Sequence, residues 1–440
     1  MSFLNNIYKT LIVSFLFLFI SNIHGQTRIK TMFYNLLNYS NSVVSQNKTT
    51  HLKTILEDIQ PDLFMVCELV NVQGSDYLFN NAVLTSNPDF EKATFQLSQS
   101  PASGLQQMVY YNSKKLILES SSTITTVVRD INHYTFKINT VDVATDPLRI
   151  EVFVTHLKAS TGSPNRQLRL SSVEDFVGEL YNIPSDSFVL FAGDFNLYTS
   201  NEEAYNRIID NSNPILMVDP INRPAQPFPN DGTDYFDPNN YNINYFWRSN
   251  AYADIHTQST RTSNSGLIDD SGATGGLDDR FDFIMMSENF NSSSDLFYID
   301  NSYKAYGNNG NCYNSFISNT NCNGTYSQDI RDALIEFSDH LPVIMDIETS
   351  RNTLTVPEVT TIKFIGSNIV KSQLVINVDA IFGVNKIYIY DQLGQLVIEK
   401  LINEQNLSSK NIYLNTENLS KGVYYIRAKN QVKPVKFLKI

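Results

Sequence analysis

Residues 188–197 read FVLFAGDFNL, an apolar run that ends in the tetrapeptide Gly193-Asp194-Phe195-Asn196. The apolar run predicts a buried strand, and Gly193 permits a tight turn after it. The side chains of Asp194 and Asn196, two residues apart, then project on the same side of the chain. A plain Asp/Asn turn has the same signature, so the stretch alone leaves a structural and a functional interpretation open.

Other predicted strands end in polar residues in the same way. Short apolar runs lead to Asn35, to Glu68 and to His156. Core positions favour apolar side chains, so polar residues that recur at strand ends indicate a site at the edge of a sheet.

Predicted helices alternate with these strands. Apolar residues fall at helical spacing over residues 52–59, where Pro61 ends the helix, and again over residues 173–180. The segments RFDFIMM and SDHLPVIMDIE read as two further strands. The alternation predicts a layered α/β protein. Between residues 219 and 277 lies an Asn/Pro/Gly/Tyr-rich stretch, whose length is typical of functional loops or disorder.

The polar residues at strand ends suit the hydrolysis of a phosphate ester. Hard divalent ions such as Mg²⁺ prefer oxygen ligands, which Glu68, Asp194 and Asp339 offer. His156 and His340 can titrate near neutral pH. Taken singly, each also has an ordinary structural interpretation as a solvated acid, a hydrogen-bonded histidine or a strand cap.

The order of these residues resembles the endonuclease/exonuclease/phosphatase family over residues 28–348. The matching segments are MFYNLLNY with Asn35, PDLFMVCEL with Glu68, VTHLKAS with His156, LFAGDFNL with Asp194 and Asn196, DDRFDFIMM with Asp282, and SDHLPV with Asp339 and His340. The resemblance implies an α/β (α+β) fold, a four-layered sandwich of two β-sheets flanked by helices, with a metal site at one end.

The same resemblance implies a metal-dependent hydrolase that acts on phosphate ester bonds. Its cofactor would be Mg²⁺, with Mn²⁺ or Ca²⁺ as alternatives. The metal ligands would be Asn35, Glu68, Asp194 and Asp339, with Glu68 holding the principal ion and Asp339 a second one.

The resemblance also implies catalytic roles. Asp194 would orient or deprotonate the attacking water, and Asn196 would hydrogen-bond the phosphate. Asp282 would orient His340, whose charged form would stabilise the phosphoryl oxygens. His156 would contact the phosphate or assist the leaving group. Which group acts as acid and which as base stays open, because coupled groups cannot be assigned singly.

The sequence gives less direct evidence about the substrate. Trp247 and Arg248 are candidates for base stacking and phosphate contact in a nucleic acid, with aromatic packing under a long loop as the alternative. Arg261 is a candidate for a phosphorylated sugar or lipid headgroup, and Tyr110 and Tyr111 are candidates for site support or strand core. The leading hypothesis is a nuclease of DNA or RNA. The alternatives are a phospholipid phosphodiesterase or phosphomonoesterase of the same fold, and a catalytically silent surface binding protein.

The formal net charge of −12 is unevenly distributed. Residues 357–440 hold 11 Lys/Arg and 6 Asp/Glu, a net +5, which leaves −17 for the rest of the chain. An acidic catalytic region argues against tight clamping of nucleic acid by a broad basic face. It does not argue against cleavage, because a bound divalent cation inverts the local field.

The composition changes after Glu348. A Thr/Pro-bearing linker over residues 349–359 is followed by the runs LVINV, IYIYD, LVIEK, NIYL and VYYIRA, which alternate with turns and predict a small C-terminal all-β sandwich domain. The segments IYIYDQLGQLVIE, NLSKGVYYIRA and KPVKFLKI resemble the type IX secretion sorting domain of Bacteroidetes over residues 360–440. The resemblance implies contact with the secretion machinery and a secreted or outer-membrane surface location, and it does not imply a stable protein partner. The alternative is a small adhesive or carbohydrate-binding β-domain.

The N-terminus also carries an export feature. Lys9 precedes a short apolar run over residues 11–20, which predicts a signal peptide over residues 1–25, with an uncleaved anchor as the alternative. The catalytic domain would then span residues 26–348. Export permits disulfides, so the closely spaced Cys312 and Cys322 are predicted to pair rather than remain free thiols. Cys67, inside an apolar run, is predicted to be a buried thiol.

Overall fold

A computed structural model of the chain describes residues 27–100, 104–224, 247–353, 362–365, 367–378, 386–401, 411–428 and 435–440. The predicted signal peptide, residues 1–25, lies outside the described residues, as do residues 354–359 of the predicted linker. The chain falls into two compact units, residues 1–354 and 355–440. Among the described residues, no helix has both the length and the apolar character needed to cross a membrane.

The first unit contains two β-sheets. Its strands are β1 (Thr27–Tyr39), β2 (Leu63–Leu69), β3 (Phe90–Lys92), β4 (Gln106–Asn112), β5 (Leu116–Ile124), β6 (Ile131–Ile138), β7 (Arg149–His156), β8 (Phe188–Asp194), β9 (Met217–Val218), β10 (Asp282–Ser287), β11 (Leu296–Tyr298), β12 (Lys304–Ala305) and β13 (Val343–Thr349). Sheet A has the order β11-β13-β1-β2-β4-β3, with β12 also paired to β13, and sheet B has the order β5-β6-β7-β8-β10-β9.

Helices connect these strands. They are α1 (Val43–Ile59), α2 (Val72–Leu78), α3 (Leu84–Ser86), α4 (Ser163–Leu180), α5 (Glu203–Ile208), α6 (Asn289–Ser292) and α7 (Gln328–Phe337), with a π-helical turn at Phe79–Val83 and a 3₁₀ turn at Asn250–Tyr252. The side chain of Ser42 caps the start of α1 by accepting from Ser45 N–H, and Gln60 ends the helix in a left-handed conformation (φ 51°). The helix therefore stops just before Pro61, as predicted.

The four-layered sandwich follows from the alternation of side chains along the strands. On β1, Phe33 points between the sheets, where it joins a cluster that includes Leu190 of sheet B. Its neighbour Tyr34 points the other way and packs with Phe337 under α1 and α7. Helix α4 covers the outer face of sheet B, where Phe176 stacks on Phe191. The predicted fold class is confirmed.

Strand directions bring the predicted site residues to one end of each sheet. In sheet A, β1 and β2 are parallel and β13 is antiparallel to β1; in sheet B, β7 and β8 are parallel and β10 is antiparallel to β8. The carboxyl ends of β1, β2, β7 and β8 therefore adjoin the starts of β10 and β13. A Cβ atom on Gly193 would lie 2.4 Å from Thr155 O, so the close approach of β7 and β8 requires glycine directly before Asp194.

The second unit consists of β-strands in its described parts. They are β14 (Ile362–Phe364), β15 (Ile369–Val370), β16 (Gln373–Val378), β17 (Lys386–Asp391), β18 (Leu396–Leu401), β19 (Asn411–Asn415), β20 (Gly422–Ala428) and β21 (Val435–Lys439). They form a three-stranded sheet, β14-β16-β19, and a five-stranded sheet, β15-β21-β20-β17-β18. Their shared core includes Ile376, Ile389, Leu414 and Ile426. The small all-β domain is as predicted.

Cys312 and Cys322 form a disulfide, and Cys67 is a free, buried thiol, as predicted. The bond closes a loop between residues ten apart in sequence, so replacing both cysteines by serine is expected to lower the free energy of unfolding by about 3 kcal/mol. Thermal unfolding should show a lower melting temperature for the double variant. Dithiothreitol should lower the melting temperature of the wild type but not that of the variant; equal melting temperatures without reductant would contradict the prediction.

Candidate active site

Asn35 lies at the centre of the site, inside the last part of β1. Its buried side chain places Nδ2 2.9 Å from Glu68 Oε1 and 3.1 Å from Asp194 Oδ2. Its Oδ1 accepts a hydrogen bond of 3.0 Å from Leu37 N–H. An amide N–H donates and cannot ligate a cation. In this arrangement Asn35 holds two carboxylates side by side through Nδ2; the metal-ligand role predicted for it stays a prediction.

Glu68, the last residue but one of β2, has a left-handed backbone conformation with a φ of 61°, which residues other than glycine seldom adopt. Its Oε2 accepts a 2.8 Å hydrogen bond from Asn38 N–H, so both carboxylate oxygens have a donor. The side chain is only 14% exposed. Glu68 is therefore a held, largely enclosed acid and not a solvated strand end.

His156 and Asp194 face each other from the paired strands β7 and β8. His156 Nε2 lies 3.6 Å from Asp194 Oδ2 and 3.9 Å from Glu68 Oε1. The Nδ1 atom of His156 is buried without a hydrogen-bond partner. Burial, and then the positive charge of Arg129, lower the pKa of His156 well below its usual range, so this imidazole is neutral.

His340 forms a close pair with Asp282, which lies opposite Asp194 in the β8–β10 register. His340 Nδ1 is 2.8 Å from Asp282 Oδ2, and its Nε2 is 3.7 Å from Asp194 Oδ2. Burial lowers the pKa of His340, but Asp282, Asp339 and Asp194 more than offset this effect and raise the pKa well above its usual range. His340 is therefore charged at neutral pH.

Asp194 and Asn196 are held by the turn after β8. Asp194 Oδ1 accepts from Asn196 N–H at 3.0 Å, and Asn196 Nδ2 donates to Leu157 O at 3.3 Å. Burial raises the pKa of Asp194 to about 7, against the opposing effect of His340. Burial, with help from Asp339, also raises the pKa of Glu68. The site is thus short of positive charge.

Asp339 and Gln258 adjoin His340. Asp339 Oδ2 accepts from Ala273 N–H (2.7 Å) and from Gln258 Nε2 (3.3 Å), while its Oδ1 is buried without a partner. Gln258 Nε2 also lies 2.6 Å from His340 Nε2; because both nitrogens of a charged imidazole donate, a charged His340 requires the amide oxygen of Gln258 to face this atom instead. Sequence reasoning missed Gln258, because it lies in an irregular loop where nothing local distinguishes it from its polar neighbours.

The residues considered for substrate contact lie elsewhere. Trp247 is 1% exposed and packs in the core outside sheet B, so packing is the correct alternative for it. Arg248 pairs with an aspartate at 2.7 Å. Arg261 is fully buried and donates to three backbone carbonyls, so it cannot reach a headgroup. Tyr110 and Tyr111 are buried in β4 as strand core.

The donor set fits a divalent cation. One donor atom from each of Glu68, His156 and Asp194 lies within 4.8 Å of the others. The Oδ1 atoms of Asp282 and Asp339 are buried and have no hydrogen-bond partner. A hard cation stabilises clustered carboxylates, both those whose pKa burial raises, Glu68 and Asp194, and those with unsatisfied oxygens, Asp282 and Asp339.

Residues 368–440 match the family described as the secretion system C-terminal sorting domain. The chain is therefore an exported protein. The resemblance of its C-terminal region to a type IX sorting domain is confirmed, and with it the predicted destination at the cell surface or outside the cell. The chain has no match among the curated proteins.

Similar solved structures include members of the endonuclease/exonuclease/phosphatase family, the family that the motifs resemble. The human Nocturnin catalytic domain with bound sulfate is 15% identical, with 73% of this chain and 97% of that chain covered and a TM-score of 0.42. D. rerio TDP2 complexed with a single-strand DNA product is 14% identical (73% and 100% covered, TM-score 0.45), and a Bacteroides thetaiotaomicron family protein is 12% identical (74% and 98%, TM-score 0.43).

Proposed function

We propose that the protein is a secreted, divalent-metal-dependent phosphoesterase that hydrolyses phosphodiester bonds of DNA or RNA. The observation that carries the proposal is the convergence of Glu68, His156, Asp194 and the Asp282–His340 pair at one end of the two sheets. A binding module has no need to bury two ionisable clusters of this kind.

Glu68 would hold the ion, which we propose to be Mg²⁺ because the donors are mostly oxygens. Asp194 and His156 border the same position, and Asp339 keeps one oxygen for a second ion. When bound, a divalent ion neutralises phosphoryl oxygens and lowers the pKa of a water ligand.

The side chains divide the work of hydrolysis. Water attacks phosphorus, a new P–O bond forms as the ester P–O bond breaks, and Asp194 accepts the water proton, for which its pKa of about 7 is suited. Charged His340 and the amide of Asn196 donate hydrogen bonds to the phosphoryl oxygens as these gain charge. His156 contacts the phosphate through the single N–H of its neutral imidazole, because its lowered pKa leaves it without the second proton that an acid would give to the leaving oxygen. That oxygen takes its proton from solvent.

Two cations beside His156 favour a polyanionic substrate. Arg129 Nη1 donates to the carbonyl oxygens of His156 (3.2 Å) and Leu157 (3.1 Å), and Lys158 Nζ donates to Ala159 O (2.9 Å). Among the described residues, neither cation has a carboxylate within 4.0 Å. A nucleic acid would bring phosphates on both sides of the cleaved one, whereas a compact headgroup would not.

We further propose that the two functions are divided along the chain. Residues 26–348 would form the catalytic domain, residues 349–359 a linker, and residues 360–440 the part that engages the secretion machinery. The second unit supports this division because its described core is aliphatic and aromatic.

The proposal is tested by offering plasmid DNA, RNA, sphingomyelin and a phosphorylated inositol to the purified chain with Mg²⁺ or Mn²⁺. We expect cleavage of nucleic acid only, abolished by EDTA and by His340→Ala. The matched control is His51→Ala, which removes a partly exposed histidine of α1 outside the site and should leave cleavage unchanged.

Other outcomes would redirect the assignment. Turnover of only the lipid or the inositol phosphate would retain the site and reject the nuclease. No turnover of any substrate with either metal would favour a catalytically silent binding protein.

A further inference from the structure

Helix α1 carries a lysine whose charge lies inside the protein. The side chain of Lys48 is 0% exposed, and its Nζ lies 3.1 Å from Leu36 O, 2.8 Å from Leu37 O and 2.8 Å from Asp269 Oδ2. An ammonium group has three N–H donors, so every donor of Lys48 has a partner. The proposed hydrolysis uses none of these contacts directly.

Two of the three partners belong to turn 36–38, formed by Leu36, Leu37 and Asn38. Leu37 and Asn38 have φ values of 52° and 48°, a left-handed conformation that side chains disfavour and that needs outside contacts to persist. The carbonyls of the turn point to Lys48. The backbone N–H groups of the same turn donate to the active site instead, that of Leu37 to Asn35 Oδ1 and that of Asn38 to Glu68 Oε2.

The third partner begins the loop that holds Asp339. Asp269 Oδ1 accepts from Ser271 N–H and Oγ, and Asp269 O accepts from Arg261. Four residues on from Asp269, Ala273 N–H donates to Asp339 Oδ2. One buried ammonium group therefore ties together the two backbone segments that donate to Glu68 and to Asp339.

We propose that Lys48 is a positioning residue of the active site, which fixes turn 36–38 and through it the carboxamide of Asn35 and the carboxylate of Glu68. The lysine also lies 5.4 Å from the ring centroid of Phe337, so a purely structural role in the core is the competing explanation. The inference rests on the proposed function only for its consequence in metal binding.

Hydrogen exchange of the metal-free full chain separates these explanations, because the amides of Leu37 and Asn38 are the donors in question. Lys48→Met keeps the length of the side chain and removes the three N–H donors. We expect faster exchange at both amides, with protection retained at Phe33 in the paired part of β1. Calorimetric titration should show Mn²⁺ affinity weakened by about 10–100-fold, the usual effect of losing a residue that orients a ligand.

Leu52→Ala is the matched control, since Leu52 is buried one turn further along α1 and its side chain belongs to the apolar core cluster there. It should lower the melting temperature without changing exchange at Leu37 and Asn38. Two results would overturn the proposal: no change in the exchange of these amides in Lys48→Met, or an equal change in Leu52→Ala. If Lys48→Met does not fold, Asp269→Asn replaces it. This variant leaves the buried charge of Lys48 uncompensated, which should also speed exchange at the amides of Leu37 and Asn38. Unchanged exchange at these amides in Asp269→Asn would overturn the proposal as well.

The same measurements keep the two proposals apart. Faster exchange in Lys48→Met, together with a wild type that binds no Mn²⁺, would uphold the positioning role and reject the metal-dependent function. Normal Mn²⁺ binding by a Lys48→Met variant whose amide exchange is unchanged would reject the positioning role and uphold the metal-dependent function.

Discussion

Glu68→Gln is expected to lower hydrolysis by about 10³-fold or more, because the charge that would hold the metal ion is lost. A bound metal supplies several kcal/mol of charge stabilisation in the transition state, and each 1.36 kcal/mol is a factor of ten in rate. Glutamine preserves the size of the side chain and an acceptor for one of the two N–H donors, Asn35 and Asn38, that Glu68 now uses.

The same substitution should not unfold the protein. Burial and Asp339 raise the pKa of Glu68, so the folded chain holds this proton more tightly than the unfolded chain does. Above the folded pKa the ionised group therefore lowers the stability of the metal-free fold. At pH 8 the metal-free variant should melt close to the wild type. What it should lose is the stabilisation that Mn²⁺ gives the wild type by mass action.

Melting temperatures with and without Mn²⁺, measured beside hydrolysis rates, test both statements. Glu57→Gln, a surface carboxylate of α1 that is 52% exposed, is the control and should behave as the wild type in both assays. Hydrolysis within tenfold of the wild type, or an unchanged Mn²⁺ shift in Glu68→Gln, would rule out Glu68 as the holder of the principal ion.

Much of the fold could be predicted because its signals are local. The run before Gly193 is apolar and short, so it indicates a buried strand, and Pro61 marks the end of a helix with helical spacing before it. Both elements are where the sequence places them. The long stretch between residues 219 and 277 was harder, because its polar composition hides Trp247, whose burial depends on packing against distant residues such as Phe283.

The site was predictable in its membership but not in its orientation. The positions of Glu68, His156 and Asp194 at the ends of predicted strands indicate a site, and the structure brings the three side chains together. Nothing in the sequence tells which atom of the Asn35 amide faces the carboxylates, since that depends on the left-handed turn after it. Lys48 occupies an ordinary helical position, and only the tertiary structure reveals that its charge is buried.

Asp282→Asn is expected to lower hydrolysis by about 10²–10³-fold, the usual cost of weakening one charged donor to a developing oxyanion. Asp282 is fully buried, and its Oδ2 lies 2.8 Å from His340 Nδ1. Asparagine keeps an oxygen that can accept from this ring nitrogen, so the imidazole should stay in place. It loses the negative charge that favours the protonated ring.

The pH dependence identifies the cause of this loss. Asp282 is the largest of the effects that raise the pKa of His340 against its burial, so removing its charge lowers that pKa. The charged imidazolium then persists only to a lower pH, and the rate of Asp282→Asn should fall at a lower pH on the alkaline side than the wild-type rate does. Part of the lost activity should return as the pH is lowered.

Asp219→Asn provides the matched control, because Asp219 is also a buried aspartate. Its carboxylate lies 2.8 Å from Arg280 Nη1, and neither residue belongs to the site. The loss of Asp219 should lower the melting temperature and leave the shape of the pH profile unchanged. The double variant Asp282→Asn with His340→Ala should be no slower than His340→Ala alone, since residues that act as a unit are not additive. A further multiplicative loss in the double variant, or an alkaline limb that does not move in Asp282→Asn, would mean that Asp282 acts on the site by a route other than the charge of His340.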